Sequence, residues 1–297
     1  MVYDKQPLDY PQQIQLLKDR GMIISDDEFA RKQLEFVSYF RLANYWRPME
    51  ADKIRHIFKP NSKFENAVRL YYFDKKLRNL LFAAVQSVEI SLRTKAIHYI
   101  SMKYGAFWFA NKTLFVDENL FNTHLSHIRT EIGRSKEDFI EAYFEKYEEP
   151  DVPPVWQTLE VISLGTLSKL ISNLSDKKIK KEMARSLGIP QHIYMESWIR
   201  AITILRNCIA HHARTWNRKF PCNPQMPEKL NGKWISKIDS SNQNLYPLLC
   251  VLAYLENVIH PDNNFVTLFK KLLDEYPNVD VAAMGFPKNW ENEPLWR

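Results

Sequence analysis

The stretch Trp198-Ile-Arg-Ala-Ile-Thr-Ile-Leu-Arg-Asn-Cys-Ile-Ala-His-His212 decides how this chain folds. At about 100° per residue along a helix, Trp198, Ile202, Leu205 and Ile209 fall in a stripe roughly 60° wide. That is the apolar face of a helix packed on a core. Asn207 and His211 lie about 180° and 140° from Trp198, on the opposite face, four residues apart. Arg206 stands on the flank at about 80°, and His212 lies beside the apolar stripe at about 40°. The angles predict a packed, structural His212 and an outward-facing His211. Arg206 and His211 are separated by about 140°. They can meet on one phosphate through the length of arginine, or across a symmetric interface where two copies pool residues.

Helical periodicity extends through nearly the whole chain. It predicts helices at 10–19, 26–45, 63–104 (with a possible break near Asn79), 120–132, 136–147, 155–173, 176–187, 190–215, 242–259 and 261–276. Acidic Asp26 and Asp27 open the second of these. Pro153 and Pro154 mark a break, and Pro221, Pro224, Pro227 and Gly232 make an irregular connector. The fold class expected is all-α, a helical bundle with additional N- and C-terminal helices. A single domain over 1–297 is expected, with a weak boundary candidate in the loop 216–232.

Composition narrows the function. Only seven glycines occur in 297 residues. Neither a dinucleotide-binding nor a Walker-type glycine string is present, so the usual nucleotide-binding fingerprints are absent. No run of about 18 apolar residues suggests a membrane span, and the N-terminus does not read as a signal peptide. Cys208, Cys222 and Cys250 are odd in number and scattered, as expected of a reducing cytoplasm without disulfides. Cys208 and His212 have helical metal-ligand spacing, but no further ligands are apparent, so no metal or cofactor is expected. The net charge of +6 permits an acidic partner such as RNA without requiring one.

Arg206, Asn207 and His211 suit one chemistry. RNA is cleaved when its own 2′-hydroxyl attacks the adjacent phosphorus. Histidine supplies a proton carrier titrating near neutrality. Arginine's planar fork matches the charge growing on the phosphoryl oxygens. Asn207 can orient the phosphate or the imidazole, and no metal is needed. The spacing alone is weak: with 16 arginines and eight histidines it arises about once by chance. Arg93-Thr-Lys-Ala-Ile-His98 is a second instance.

The longer string Leu205-Arg-Asn-Cys-Ile-Ala-His-His-Ala-Arg-Thr-Trp-Asn-Arg218 carries more weight. It resembles the signature of the Abi abortive-infection proteins (AbiD/AbiF-like), counted among the HEPN superfamily. Further blocks resemble that family in order: Leu16-Leu-Lys-Asp-Arg-Gly-Met-Ile-Ile-Ser-Asp26, Tyr39-Phe-Arg-Leu-Ala-Asn-Tyr-Trp46, Phe73-Asp-Lys-Lys-Leu-Arg78, Val88-Glu-Ile-Ser-Leu-Arg-Thr94, Pro153-Pro-Val-Trp156, Leu164-Gly-Thr-Leu-Ser168 and Met284-Gly-Phe-Pro-Lys-Asn-Trp290. Phe40 departs from a common Tyr-Tyr pair. The resemblance implies an all-α HEPN-like bundle and a metal-independent endoribonuclease toxin of anti-phage defence. It also implies a homodimer that joins two Arg-x4-His motifs, and some relatives restrained by a small antitoxin RNA. Carried over by position, the site is Arg206, Asn207 and His211. The expected partner is RNA; no membrane or DNA partner is expected.

Secondary candidates stand beside bland readings. Glu89 falls on the apolar stripe of the long helix, where a carboxylate needs a partner. Arg93 is its neighbour, so the two read as a half-buried ion pair or as an orienting pair for Arg206 and His211, with His212 a further support. His98 reads as a surface histidine. Arg41, Tyr45, Trp46 and Arg47 read as an RNA clamp or as core packing with surface arginines. Arg214 and Arg218 are candidates for positioning RNA. Lys177, Lys178, Lys180 and Lys181 read as a basic face. The alternatives to an enzyme are a non-catalytic RNA-binding module and a phage-sensing helical interaction protein.

Overall fold

The computed structural model describes residue 2, residues 6–237 and residues 239–297. Among them are twelve α-helices and one two-stranded hairpin, an all-α fold. The chain divides into two compact units: 1–79 with 270–279, and 80–269 with 280–297.

The first unit begins with α1 (Tyr10–Asp19), which opens on a reciprocal capping box between Asp9 and Gln12. α2 (Asp27–Val37) is capped by the Asp26 carboxylate, which accepts from the Phe29 N–H at 2.9 Å. α3 spans Tyr39–Trp46. The expected single helix from 26 to 45 is therefore two. Ser38, at φ 74°, takes the chain out of helical geometry, and its hydroxyl accepts from the Arg41 N–H to start the next helix. The apolar period runs on through the break, which hides it in the sequence. Strands β1 (Glu50–Asp52) and β2 (Ile57–Phe58) pair antiparallel, a hairpin the periodicity did not predict. Leu17, Leu34, Leu42, Trp46 and Phe64 are buried together in the core of this unit. Beside them the Tyr45 hydroxyl donates to Asp74 at 2.7 Å, and the fully buried Asp74 also pairs with Arg78.

The long helix α4 runs Phe64–Tyr104 without interruption, so the possible break near Asn79 does not occur. Its part beyond residue 79 belongs to the second unit, with α5 (Glu118–Arg134), α6 (Asp138–Lys146), α7 (Val155–Val161), α8 (Leu164–Asn173), α9 (Lys177–Ser186), α10 (His192–Ala210) and α11 (Tyr246–Ile259). The span 155–173 is two helices. Ile162 is extended, and the Ser163 hydroxyl caps α8 by accepting from Thr166. α10 packs against α8, α9 and α11. α11 is buried at every residue from Tyr246 to Glu256, as an all-round apolar helix must be. A final helix, α12, spans Phe265–Glu275. Among the described residues, no helix is long and apolar enough to cross a membrane.

Candidate functional site

α10 is held by its apolar stripe. Trp198, Ile202, Leu205 and Ile209 are all buried. Trp198 is further fixed by donating its indole N–H to the Gln225 carbonyl at 2.7 Å and by stacking near Trp234. With that face committed to the core, Asn207 and His211 are exposed.

The helix ends at Ala210, not at residue 215, and the way it ends separates the two histidines. His211 is the C-cap. His212 takes a left-handed φ of 54°. Its N–H donates to the Ile209 carbonyl at 2.9 Å, and the Ala213 N–H reaches back to the Cys208 carbonyl at 2.9 Å. This pair of bonds is a Schellman termination with His212 where glycine is usual. The expectation that His212 packs beside the apolar stripe is therefore corrected. Helical angles stop applying after residue 211, and His212 is exposed.

Arg206 stands on the flank, 38% exposed, with its Nε 3.8 Å from Oε2 of Glu89. Glu89 in turn accepts from Arg93 at 2.7 Å, and both of those side chains are nearly buried. Arg93 spends its other donors on the end of α7. Its Nε reaches the Leu159 carbonyl at 2.7 Å, and its terminal nitrogen reaches Ile162 at 2.9 Å. A guanidinium is suited to free carbonyls at a helix C-terminus. Arg93 is thus a clamp between α4 and α7, while Glu89 links it to Arg206. These three residues line one cavity of about 650 Å³, together with Phe82, Ile90 and His260. Asn207 and His211 do not line it.

His260 had no signal in the sequence reading. It caps the C-terminus of α11, about fifty positions beyond the motif, and only the packing of α11 brings it to Arg206. Below it, Glu256 is buried, and its Oε1 lacks a hydrogen-bond partner. Burial pushes the Glu256 carboxyl up, against smaller lowering by Ser87 and His260.

The remaining candidates scatter. His98 is exposed, with its ring against Tyr99. Trp46 is 2% exposed, so it is core and presents no stacking face; Tyr45 is buried in the Asp74 network. Arg41 is half-buried and Arg47 exposed. The aromatics that do stand out nearby are Phe36 and Phe40, 76% and 85% exposed. Arg214 is half-buried. Arg218 is half-buried too, with its guanidinium over Phe220. Trp216 is buried, and its indole N–H donates to the Asp280 carbonyl at 3.1 Å, which pins the loop after the motif. The basic run is not one face: Lys180 is buried and paired with Glu196 at 2.9 Å, while Lys177, Lys178 and Lys181 are exposed.

Among the described residues no group of three or more His, Cys, Asp or Glu side chains is placed to hold a metal. The Cys208 thiol lies against the Ala213 and Arg214 carbonyls. Cys208, Cys222 and Cys250 form no disulfide among the described residues.

A family model described as "Abi-like protein" matches residues 32–217, a span that holds α3, α4 and the whole of α10 with both histidines. No curated protein and no solved structure matches the chain.

Proposed function

The chain belongs to the Abi-like family, whose setting is abortive infection, and from that premise we propose that it is a metal-independent endoribonuclease toxin. Arg206 holds the scissile phosphate, Asn207 orients it, and His211 moves the proton, with the RNA's own 2′-hydroxyl as nucleophile. Glu89, braced by Arg93, positions Arg206, and His212 sets the backbone path that presents His211.

The observation that carries this reading is the Arg93–Glu89–Arg206 chain of charges. It aims a partly exposed guanidinium into a cavity. Glu89 is held by Arg93 through one oxygen and so presents its other oxygen to a guanidinium that stays open to solvent. Arg206 and His211 leave α10 on different sides, which supports a homodimer in which two chains pool them. Arg214, in the same unit as Arg206, extends the surface available to the RNA backbone. A small antitoxin RNA would use the same surface in the restrained state.

The test is RNA cleavage in EDTA. The parent protein should leave 2′,3′-cyclic phosphate or 3′-phosphate ends, read by sequencing RNA termini after expression. Arg206→Ala and His211→Ala should abolish cleavage and toxicity while the helical circular dichroism survives. Intact RNA with the parent protein, together with undiminished toxicity of both variants, would sink the reading.

A second reading, a protein that binds without chemistry, draws on the exposed Phe36 and Phe40. Exposed aromatics on either side of the Ser38 break suit stacking on bases or a partner protein. It predicts salt-sensitive RNA binding without new ends. Loss of the dimer in His211→Ala would favour packing over chemistry at the motif.

A further inference from the structure

We propose that His260 is the imidazole that serves the Arg206 cavity within one chain, exchanging a proton with the phosphodiester of an RNA strand seated there. This deepens the ribonuclease reading and rests on it.

The cavity has the size and the walls for one nucleotide unit. At about 650 Å³ it falls in the range of small-molecule sites. Two guanidiniums, Arg93 and Arg206, share the single Glu89 carboxylate, so this wall carries uncompensated positive charge suited to a phosphate. Phe82 and Ile90, 40% and 63% exposed, stand eight residues apart on α4 and give a neighbouring apolar surface. A base placed there would stack on the Phe82 ring. The cavity therefore offers cation and stacking face together, and the histidine it contains is His260.

The backbone at His260 is fixed, and its side chain is exposed. Its backbone N–H donates to the Glu256 carbonyl at 2.8 Å, closing the last turn of α11. The Glu256 side chain lies one turn earlier, buried, with one oxygen unpartnered. The charged groups around His260 are Glu256 on its own helix, Glu89 and Arg93 on α4, and Arg206 on α10.

Transesterification uses two proton transfers. The 2′-oxygen bonds to phosphorus as the bond from phosphorus to the 5′-oxygen breaks. The proton leaving the 2′-hydroxyl passes to one imidazole, and the departing 5′-oxygen takes a proton from the other. The products are a 2′,3′-cyclic phosphate and a 5′-hydroxyl, and solvent resets both rings. His260 supplies one transfer from within the cavity, and His211 of the second chain of the proposed homodimer supplies the other, because a chain's own His211 does not line its cavity.

The experiment compares His260→Gln with the parent protein in cleavage, and follows the His260 ring by NMR while a 2′-O-methyl oligonucleotide, which cannot react, is added to the parent. The variant should lose about 100-fold in kcat with KM little changed. One limb of its bell-shaped pH profile should flatten. In the parent, the oligonucleotide should shift the His260 ring resonances. A variant with the parent's rate and both limbs intact overturns the inference and leaves the ribonuclease reading standing. If the parent cleaves no RNA, the ribonuclease reading falls, and the resonances decide alone: an oligonucleotide that leaves the His260 ring unmoved overturns the inference too.

Discussion

Oε2 of Glu89 stands 3.8 Å from Nε of Arg206, while the other oxygen of the same carboxylate accepts from Arg93 at 2.7 Å. One carboxylate thus couples a guanidinium locked onto backbone carbonyls to one that is 38% exposed. The consequence is positional. Arg206 lines the cavity, and its Nε faces the Glu89 carboxylate as an ion pair longer than a hydrogen bond.

Glu89→Gln preserves the shape of the side chain and removes its charge. On the proposed ribonuclease reading it should lower RNA cleavage about 10–100-fold, because the Arg206 guanidinium loses its charged partner. Helical content should not change. The check is single-turnover cleavage beside circular dichroism, and an unaltered rate would remove Glu89 from any positioning role.

Asp74→Ala tests the buried network of the first unit. Arg78 would keep its charge in the interior and lose its carboxylate, and the Tyr45 hydroxyl would lose its acceptor. Breaking one side of such a pair costs about 3–5 kcal/mol. Urea denaturation should show a midpoint lowered accordingly, well outside the range of a surface substitution.

Asp176 predicts how stability depends on acid. Burial works to raise its carboxyl, but hydrogen bonds from Lys103, Tyr104 and the Ile179 N–H outweigh that and hold it down at about 2. A carboxyl lowered on folding contributes stability that is fully present above its unfolded value and is lost as pH falls through the folded one. The loss should therefore develop between about pH 4 and pH 2, and amount to roughly 2 kcal/mol. Asp176→Asn should remove this acid limb from a stability–pH curve and lower stability near pH 7. An unchanged acid limb in the variant would refute the assignment.

His212→Gly addresses the left-handed cap. Glycine adopts a φ of 54° without the cost of roughly 1 kcal/mol borne by other residues. Thermal unfolding should be no earlier than in the parent. If cleavage is retained, His212 acts through the backbone alone. If it is lost at undiminished stability, the imidazole itself takes part.

Much of this molecule is legible in the sequence because helices advertise their buried side. The stripe Trp198, Ile202, Leu205 and Ile209 was enough to turn Asn207 and His211 outward. What stayed hidden has local or distant causes. Ser38 and Ile162 break helices by single-residue backbone torsions within uninterrupted apolar periods. The hairpin at 50–58 is too short to show alternation. His212 escaped because its neighbour ends the helix, and no periodicity reports where a helix stops. Arg93 could be paired with Glu89 from spacing alone, whereas its bonds to Leu159 and Ile162 depend on a helix 66 to 69 residues away. His260 depends on tertiary packing in the same way.

Two identical neighbours, His211 and His212, hold different places: the first closes α10 as its C-cap and the second takes the left-handed turn after it. Replacing the first should change what the protein does and leave its course intact, because the cap is formed by backbone bonds of residues 212 and 213. Replacing the second bears on the course itself. A chemically silent yet native-shaped form, suited to trapping RNA in place for identification, is therefore to be sought at position 211, with position 212 left untouched.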